Sequence, residues 1–364
     1  LPLFLGKENS GRPLIVDLAR MPHLLIAGAS GSGKSVCVNS VILSLLYTRK
    51  PDEVRLILID PKMVELSNYK DVAHLLSPVV TEMRDAPRLL EWSVEHMEER
   101  YRLFKALGIK HISQYNKMDP EERIAKLEEH GEGTTHDLPL RLPYVVLVVE
   151  ELADLMMAAG KEVESSIVRL AQKSRAVGIH IILSTQRPEV SVITGLIKAN
   201  ITTRIAFKVA SKVDSRTILD RNGAETLIGR GDMLIIEPET SNLVRAQGAL
   251  LETDEIAKVV AHIVSQGKPR FHRSLVQTRR VEGDDEAGEQ DRDEMYLQAV
   301  RVVLENKRAS TSLIQRKLSI GYTRAARMID LMAEDGVVGA FNGSKAREIL
   351  MSLEQWEETQ PRGS

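Results

Sequence analysis

One cysteine, Cys37, stands in 364 residues, so an intrachain disulfide is excluded. Such cysteine usage fits a reducing compartment. The thiol lies in an apolar run and reads as a small buried residue rather than a nucleophile. Net charge is nearly absent: 49 Lys+Arg oppose 51 Asp+Glu, a balance of −2. The chain as a whole therefore does not announce a nucleic-acid partner, and any basic surface has to be local. Long apolar runs are missing too. None approaches the roughly 18–20 residues of a membrane span, and no secretory signal pattern stands out. Any membrane anchor is expected outside this sequence. There is no internal repeat, and the one biased tract is acidic. What remains is ordinary for a globular chain, 43% hydrophobic and 27% charged. Its length exceeds what one core usually fills, so a large domain plus a small one is expected.

The strongest local signal is Gly28-Ala29-Ser30-Gly31-Ser32-Gly33-Lys34-Ser35, a full match to G-x-x-x-x-G-K-[ST]. The apolar run 23–27 leads in and a helix-compatible run 36–47 leads out. Strand, glycine loop and helix is the context the motif needs. Glycines let backbone N–H groups turn onto phosphate oxygens, and the helix N-terminus adds positive potential. Lys34 is expected on the β- and γ-phosphates and Ser35 on Mg²⁺. A chance Gly/Ser-rich turn is the alternative, and eight matched positions in the right context weigh against it.

Residues 1–22 read as an opening hairpin. Strand-like runs follow at 54–60, 144–150, 179–184, 204–209, 232–236 and 243–251. The central ones are almost continuous Val/Ile/Leu, as in parallel strands buried on both faces. Helical stretches at 34–48, 86–107, 153–177 and 192–200 separate them, which predicts an α/β fold around a mainly parallel sheet. Residues 119–142 are charged and glycine-bearing and read as a mobile excursion. Residues 281–294 hold eight acidic residues and one basic residue, Arg292. Such a stretch has too little apolar surface to fold. The expected division is a motor-sized domain at 1–276, a linker at 277–292, a small domain at 293–353 and a tail at 354–364. In the small domain, three helical segments precede two short strands around Asn342-Gly343, a hairpin-turn signal. That order is the winged-helix pattern. Residues 300–353 hold nine Lys/Arg and five Asp/Glu, a local excess of +4.

Tyr144-Val-Val-Leu-Val-Val-Glu150-Glu151 is an apolar strand closed by two carboxylates. In nucleotide motors the first such acid binds Mg²⁺ through water and the second serves as general base. A solvated acidic pair is the bland alternative. Ser184-Thr185-Gln186-Arg187-Pro188 ends another apolar run. Gln186 there either senses the γ-phosphate or positions water, or is simply part of a turn.

These residues resemble the motor and C-terminal domains of the FtsK/SpoIIIE family of bacterial DNA translocases. The resemblance is carried by Met21-Pro22-His23 running into the phosphate loop and by Ile59-Asp60-Pro61-Lys62. It continues in Glu151-Leu-Ala-Asp154-Leu-Met, Arg169-Leu-Ala-Gln172, Arg175-Ala-Val-Gly-Ile-His180 and Ser184-Thr-Gln-Arg-Pro188. Ile193-Thr-Gly-Leu-Ile-Lys-Ala-Asn200, Asp214-Ser-Arg216 and Gly321-Tyr-Thr-Arg-Ala-Ala-Arg327 complete it. It implies a RecA-like P-loop motor, a homo-hexameric ring around double-stranded DNA, and hydrolysis of ATP with Mg²⁺ between subunits. Arg175 matches the family's arginine finger and Lys212 a second cation supplied in trans. From the residues alone, Arg175 would be a surface cation on a helix. Arg187, Lys198 and Arg216 match pore-loop positions on DNA phosphates, where charge grips without reading sequence. The family's strand-end pair is Asp-Glu, and here it is Glu150-Glu151.

The small domain resembles the family's DNA-reading winged helix. Thr323 is expected to N-cap a helix that carries Arg324, Arg327 and Asp330, with Arg327 suited to guanine in the major groove. Lys345 and Arg347 on the wing suit phosphate contacts. Some members have Asn at the position of Thr323 and Glu at that of Asp330. A basic winged helix used for protein contact is the alternative. The resemblance implies pumping of chromosomal DNA in cell division or sporulation, in the cytoplasmic part of a protein held in the inner membrane by an N-terminal region absent here. It also implies site-specific recombinase and division proteins as partners. The competing reading is a related ring ATPase that drives protein secretion; a base-reading helix on an acidic linker argues against it.

Overall fold

The computed structural model describes residues 1–129, 139–237, 241–277, 294–318, 322–339, 347–353 and 355–356. Its contacts divide the chain into two compact units, Leu1–Glu282 and Gly283–Ser364. Residues 278–292 of the expected linker lie outside the described residues, and Gln277 closes a short helix.

The first unit opens with the expected hairpin, β1 (Pro2–Glu8) and β2 (Pro13–Asp17), then β3 (His23–Ala27). Next come α1 (Lys34–Thr48), β4 (Val54–Ile59), α2 (Ala86–Ala106), α3 (Ile112–Tyr115) and α4 (Pro120–Glu129). They are followed by β5 (Tyr144–Val149), α5 (Leu152–Lys173), β6 (Ile179–Thr185), α6 (Gly195–Asn200) and β7 (Thr203–Phe207). The unit ends with α7 (Lys212–Leu219), β8 (Asp232–Ile236), β9 (Leu243–Gly248), α8 (Thr253–Gln266) and α9 (Arg273–Gln277).

Among the described residues the strands form one sheet in the order β2-β1-β9-β8-β7-β3-β6-β5-β4. The run β7-β3-β6-β5-β4 is parallel throughout, and the other half, from β8 to β2, pairs antiparallel. The parallel strands are buried on both faces because apolar residues fill both sides of the pleat. Leu25, Ile57, Leu147 and Ile181 enter the core beneath α2 and α5. Their neighbours Leu24, Leu56, Val146 and Ile182 enter the core beneath α1 and α8. All five parallel strands point the same way. Their carboxyl ends form one rim, where open α/β sheets hold ligands.

Two sequence expectations are corrected. The stretch 119–142 contains a helix, α4. Asp119 Oδ1 accepts from the Glu121 N–H at 2.9 Å and starts it. Leu127 is buried, and the Arg123 guanidinium lies 4.3 Å over the Tyr115 ring. Residues 130–138 of the stretch lie outside the described residues. The helix expected from residue 192 begins at Gly195, because the Thr194 hydroxyl accepts from the Ile197 N–H at 3.3 Å and caps it there.

Among the described residues the second unit carries the helices α10 (Glu294–Glu305), α11 (Thr311–Leu318) and α12 (Tyr322–Glu334). Its own core includes Tyr296, Val300, Ile314, Met328, Met332 and Trp356. Antiparallel bridges join Ala309 to Arg347 and Val338 to Ile349. The Asn342-Gly343 turn and Lys345 lie outside the described residues. Thr323 stands inside the first turn of α12 rather than at its cap, because Tyr322 is already helical.

Candidate active site

The phosphate loop sits where β3 leaves the rim and α1 begins. Two glycines are required by the close approach of other chain segments. A Cβ on Gly28 would come 2.6 Å from Phe207 Cβ. Gly33 has φ 108°, and a Cβ there would lie 2.5 Å from the Gly231 nitrogen. The loop is tied to its neighbours through backbone bonds: Ala29 N donates to Lys208 O at 2.9 Å, and Gly231 N to Ser32 O at 2.9 Å. Among the described residues the buried Ser32 hydroxyl finds no hydrogen-bond partner. Cys37 lies in the core under α1, and burial pushes its thiol up to about 12, which leaves it inert.

Lys34 and Glu150 are both almost fully buried and meet at 2.6 Å. Ser184 joins them, accepting from Lys34 Nζ at 2.7 Å and donating to Glu150 Oε2 at 3.2 Å. Ser35 Oγ donates to Glu150 Oε1 at 3.3 Å. Burial raises the Glu150 carboxyl above the usual range, against the pull of the Lys34 ammonium and the Ser184 hydroxyl. A buried ion pair of this kind is retained only with such extra bonds.

Glu151 points to a separate set of partners. Its Oε1 accepts from Thr185 Oγ1 at 2.6 Å and from the Ala153 N–H at 3.4 Å, which makes it the N-cap of α5. The Gln186 N–H reaches both carboxylate oxygens, at 3.3 and 3.2 Å. Lys62 Nζ stands 3.6 Å from Oε2. Gln186 thus meets the acid through its backbone.

The rim therefore gathers the whole loop 28–35, after β3, with Glu150, Glu151 and Gln186, which follow β5 and β6 more than a hundred residues later. It does not gather Arg175. That residue is exposed in the turn after α5, before β6 begins. The seven residues of β6 span about 20 Å, so Arg175 and the phosphate loop lie at opposite ends of the parallel strands. Lys212 opens α7 at the surface, with Glu225 as its electrostatic neighbour. No bond among the described residues joins it to Lys34, Glu150 or Glu151.

Arg187 is exposed on the rim loop after β6. Lys198 is not free: its ammonium is 2.7 Å from Asp220 Oδ1, and Arg204 reaches the other oxygen at 2.6 Å. Arg216 donates to Asn222 Oδ1 at 2.8 Å. In the second unit Thr323, Arg324 and Arg327 fall on α12, while Asp330 forms an ion pair with Arg347. Two residues expected to meet DNA separately thus hold each other and join α12 to the strand residue Arg347.

Three features escaped the sequence reading. One is Lys62, whose distance from Glu151 in sequence hides their contact. Another is Lys208, whose carbonyl fastens the phosphate loop. The third is a cavity of about 480 Å³ beside the loop, lined by Gly33, Val36, Arg230, Gln247 and Leu250 among others. Its walls come from segments some two hundred residues apart, and no local pattern marks them. The loop Asp60-Pro61-Lys62 did carry a signal: the buried Asp60 carboxylate accepts the N–H groups of Lys62, Glu65 and Leu66 at 3.1, 3.1 and 2.9 Å.

Comparison with known proteins adds to this geometry. The FtsK/SpoIIIE family profile matches residues 1–190, and the Ftsk gamma domain profile matches residues 290–352. The chain is 50% identical over 366 residues to DNA translocase FtsK 2 of Ralstonia nicotianae, covering 96% of this chain and 47% of that protein. It is 49% identical over 354 residues to DNA translocase SpoIIIE of Bacillus subtilis, covering 97% of this chain and 43% of that one. The chain thus spans less than half the length of these two relatives. Among solved structures it is similar to the pCW3 conjugation coupling protein TcpA with ATPγS, at 27% identity and a TM-score of 0.58, over 73% of this chain and 70% of that one. The cytoplasmic domain of the type VII secretion ATPase EccC of Thermomonospora curvata shares the fold. It has 23% identity and a TM-score of 0.58, over 75% of this chain and 32% of that one.

Proposed function

The chain belongs to the FtsK/SpoIIIE family, and on that premise we propose that it is the motor and DNA-reading portion of an ATP-driven double-stranded DNA translocase. The observation that carries the reading is one chain holding both a phosphate loop closed by the Lys34–Glu150 pair and a three-helix unit with the gamma-domain pattern.

ATP takes its phosphates onto the 28–35 backbone and Lys34, and the flanking cavity accommodates the base. Lys34 exchanges Glu150 for the phosphates, which is a trade of one anion for another. Ser35 Oγ and the Glu150 carboxylate offer hard oxygen donors 3.3 Å apart, a set that suits Mg²⁺. When bound, the ion neutralises phosphate charge as the terminal phosphoryl leaves. Glu150 in place of the family's Asp brings its carboxylate one methylene farther out, and the contact to Ser35 is made at that reach. Glu151, held by Thr185 and the Gln186 N–H, directs the attacking water.

Arg175 and Lys212 complete the charge around the γ-phosphate from a neighbouring copy in a homo-hexameric ring. The opposed positions of Arg175 and the phosphate loop in one chain support that assignment. Arg187 and Arg216 grip duplex phosphates, and Lys198 does so when it gives up Asp220. The winged unit reads short oriented sites, with Arg327 on guanine. Attachment to the inner membrane belongs to a region outside this chain; among the described residues no helix is long and apolar enough to cross a membrane. Recombinase and division-protein partners follow the same reading.

ATP turnover measured with and without duplex DNA tests this. Turnover is expected to rise about tenfold or more with DNA, and to rise with protein concentration as copies assemble. No response to duplex DNA together with stimulation by a secreted protein would establish the secretion reading instead. A Glu150→Asp version run in parallel checks the metal assignment, through a changed Mg²⁺ requirement.

A further inference from the structure

The geometry points to Lys62 as a γ-phosphate-sensing cation that holds Glu151 until a triphosphate arrives. The inference rests on the ATP-site reading above and deepens it. Lys62 belongs to the segment Ile59-Asp60-Pro61-Lys62, to which the nucleotide site as derived gives no role.

The two carboxylate oxygens of Glu151 are not equivalent. Oε1 is saturated by Thr185 Oγ1 at 2.6 Å, the Ala153 N–H at 3.4 Å and the Gln186 N–H at 3.3 Å. Oε2 takes one backbone contact, from Gln186 at 3.2 Å, and the Lys62 ammonium at 3.6 Å. Oε2 is therefore the oxygen left to meet a water, and Lys62 competes for it. While the ammonium stands beside that oxygen, it occupies the space a water would need.

Lys62 is built to leave. Its backbone is fixed, because its N–H donates to the buried Asp60 at 3.1 Å. Its tip is loose: the side chain is 49% exposed, and 3.6 Å is beyond ordinary hydrogen-bond length. A flexible four-carbon stem on a fixed backbone lets the charge swing without moving the loop. The rim already assigns one cation to each acid, Lys34 to Glu150 and Lys62 to Glu151. A triphosphate brings in enough negative charge to draw both cations away. Lys34 reaches the β-phosphate that ATP and ADP share as well as the γ-phosphate, whereas Lys62, beside the water-directing Glu151, meets the γ-phosphate alone. The same movement clears Oε2 for water. Hydrolysis thereby becomes conditional on an intact triphosphate.

The test is equilibrium binding of ADP and of a non-hydrolysable ATP analogue to the 364-residue chain and its Lys62→Ala and Lys62→Arg variants. Losing a charge-assisted bond to the γ-phosphate is expected to weaken analogue binding in Lys62→Ala about tenfold, with ADP unchanged and Lys62→Arg restoring the difference. Equal weakening of both ligands would make Lys62 merely structural, and unchanged binding of both would remove it from the site. Lys34→Ala serves as the control. If that variant binds both ligands as the parent does, the nucleotide-site reading itself has failed, whatever Lys62 does.

Discussion

The two ends of the parallel strands bury charge in opposite ways. At the carboxyl-end rim, Lys34 and Glu150 are buried against each other, with Lys62 beside Glu151. At the amino-end rim, the buried cation Arg100 has no acidic partner among the described residues; it donates to His96 Nε2 at 3.2 Å and to two carbonyls, Val177 O at 2.7 Å and Pro143 O at 2.8 Å. Burial brings Arg100 down to about 10, still charged at neutral pH. Its neighbouring imidazoles are neutral: burial holds both His96 and His180 down near 4. An ion pair can exchange partners when a ligand of matching charge enters. A guanidinium bonded to carbonyls that begin two strands has no exchange available that leaves the fold intact. The first rim is thus suited to chemistry and the second to holding the strands in register.

The comparison breaks most sharply at Lys34. Lys34→Ala is expected to lower ATP turnover at least about a hundredfold, the scale of losing a preorganised charge. Turnover like the parent's would remove this rim from the chemistry. Arg100→Ala is expected to act on stability instead. It strands the buried Val177 carbonyl, at about 1–3 kcal/mol, and frees the half-buried Pro143 carbonyl, so the melting temperature falls by several degrees. Turnover per folded molecule measured well below that temperature stays close to the parent's. If instead it collapses with the fold intact, the division between the rims is wrong.

A pH series sharpens the same contrast. His23, His180 and His96 are held below their ordinary value when folded, to about 3, 4 and 4, chiefly by burial. The unfolded chain therefore binds more protons below pH 6.5, and stability falls as pH drops from about 6.5 toward 4. Thermal melts across that window are expected to show the decline, and a flat curve would contradict the burial of these imidazoles. The smallest effect belongs to the second unit. Asp330→Asn releases the largely covered Arg347 from an ion pair whose acid is exposed, which costs about 1 kcal/mol. The readout is DNA footprinting, where the freed Arg347 is expected to strengthen non-specific contact.

Much of this was legible along the chain. The phosphate loop, the acids ending β5 and the strand–helix alternation are local patterns, because glycine turns, strand-end carboxylates and apolar runs each act over a few neighbouring residues. The winged unit's three helices were legible for the same reason. Helix α4 was missed because its support is tertiary: Arg123 finds Tyr115 and the Pro139 carbonyl across a fold of the chain. Lys198 reads as a free cation until the fold brings up Asp220.

The sequence by itself marked the glycine loop between strand and helix, the carboxylates that end β5 and the strand–helix alternation, since these follow from local backbone preference and apolar periodicity. Only the tertiary structure decided which charge faces which. Parallel strands place residues far apart in sequence at one rim, and Coulomb interactions depend on that distance in space rather than on separation along the chain. That is why Lys34 is committed to Glu150, Lys62 to Glu151, and Arg175 to the far end of the strands.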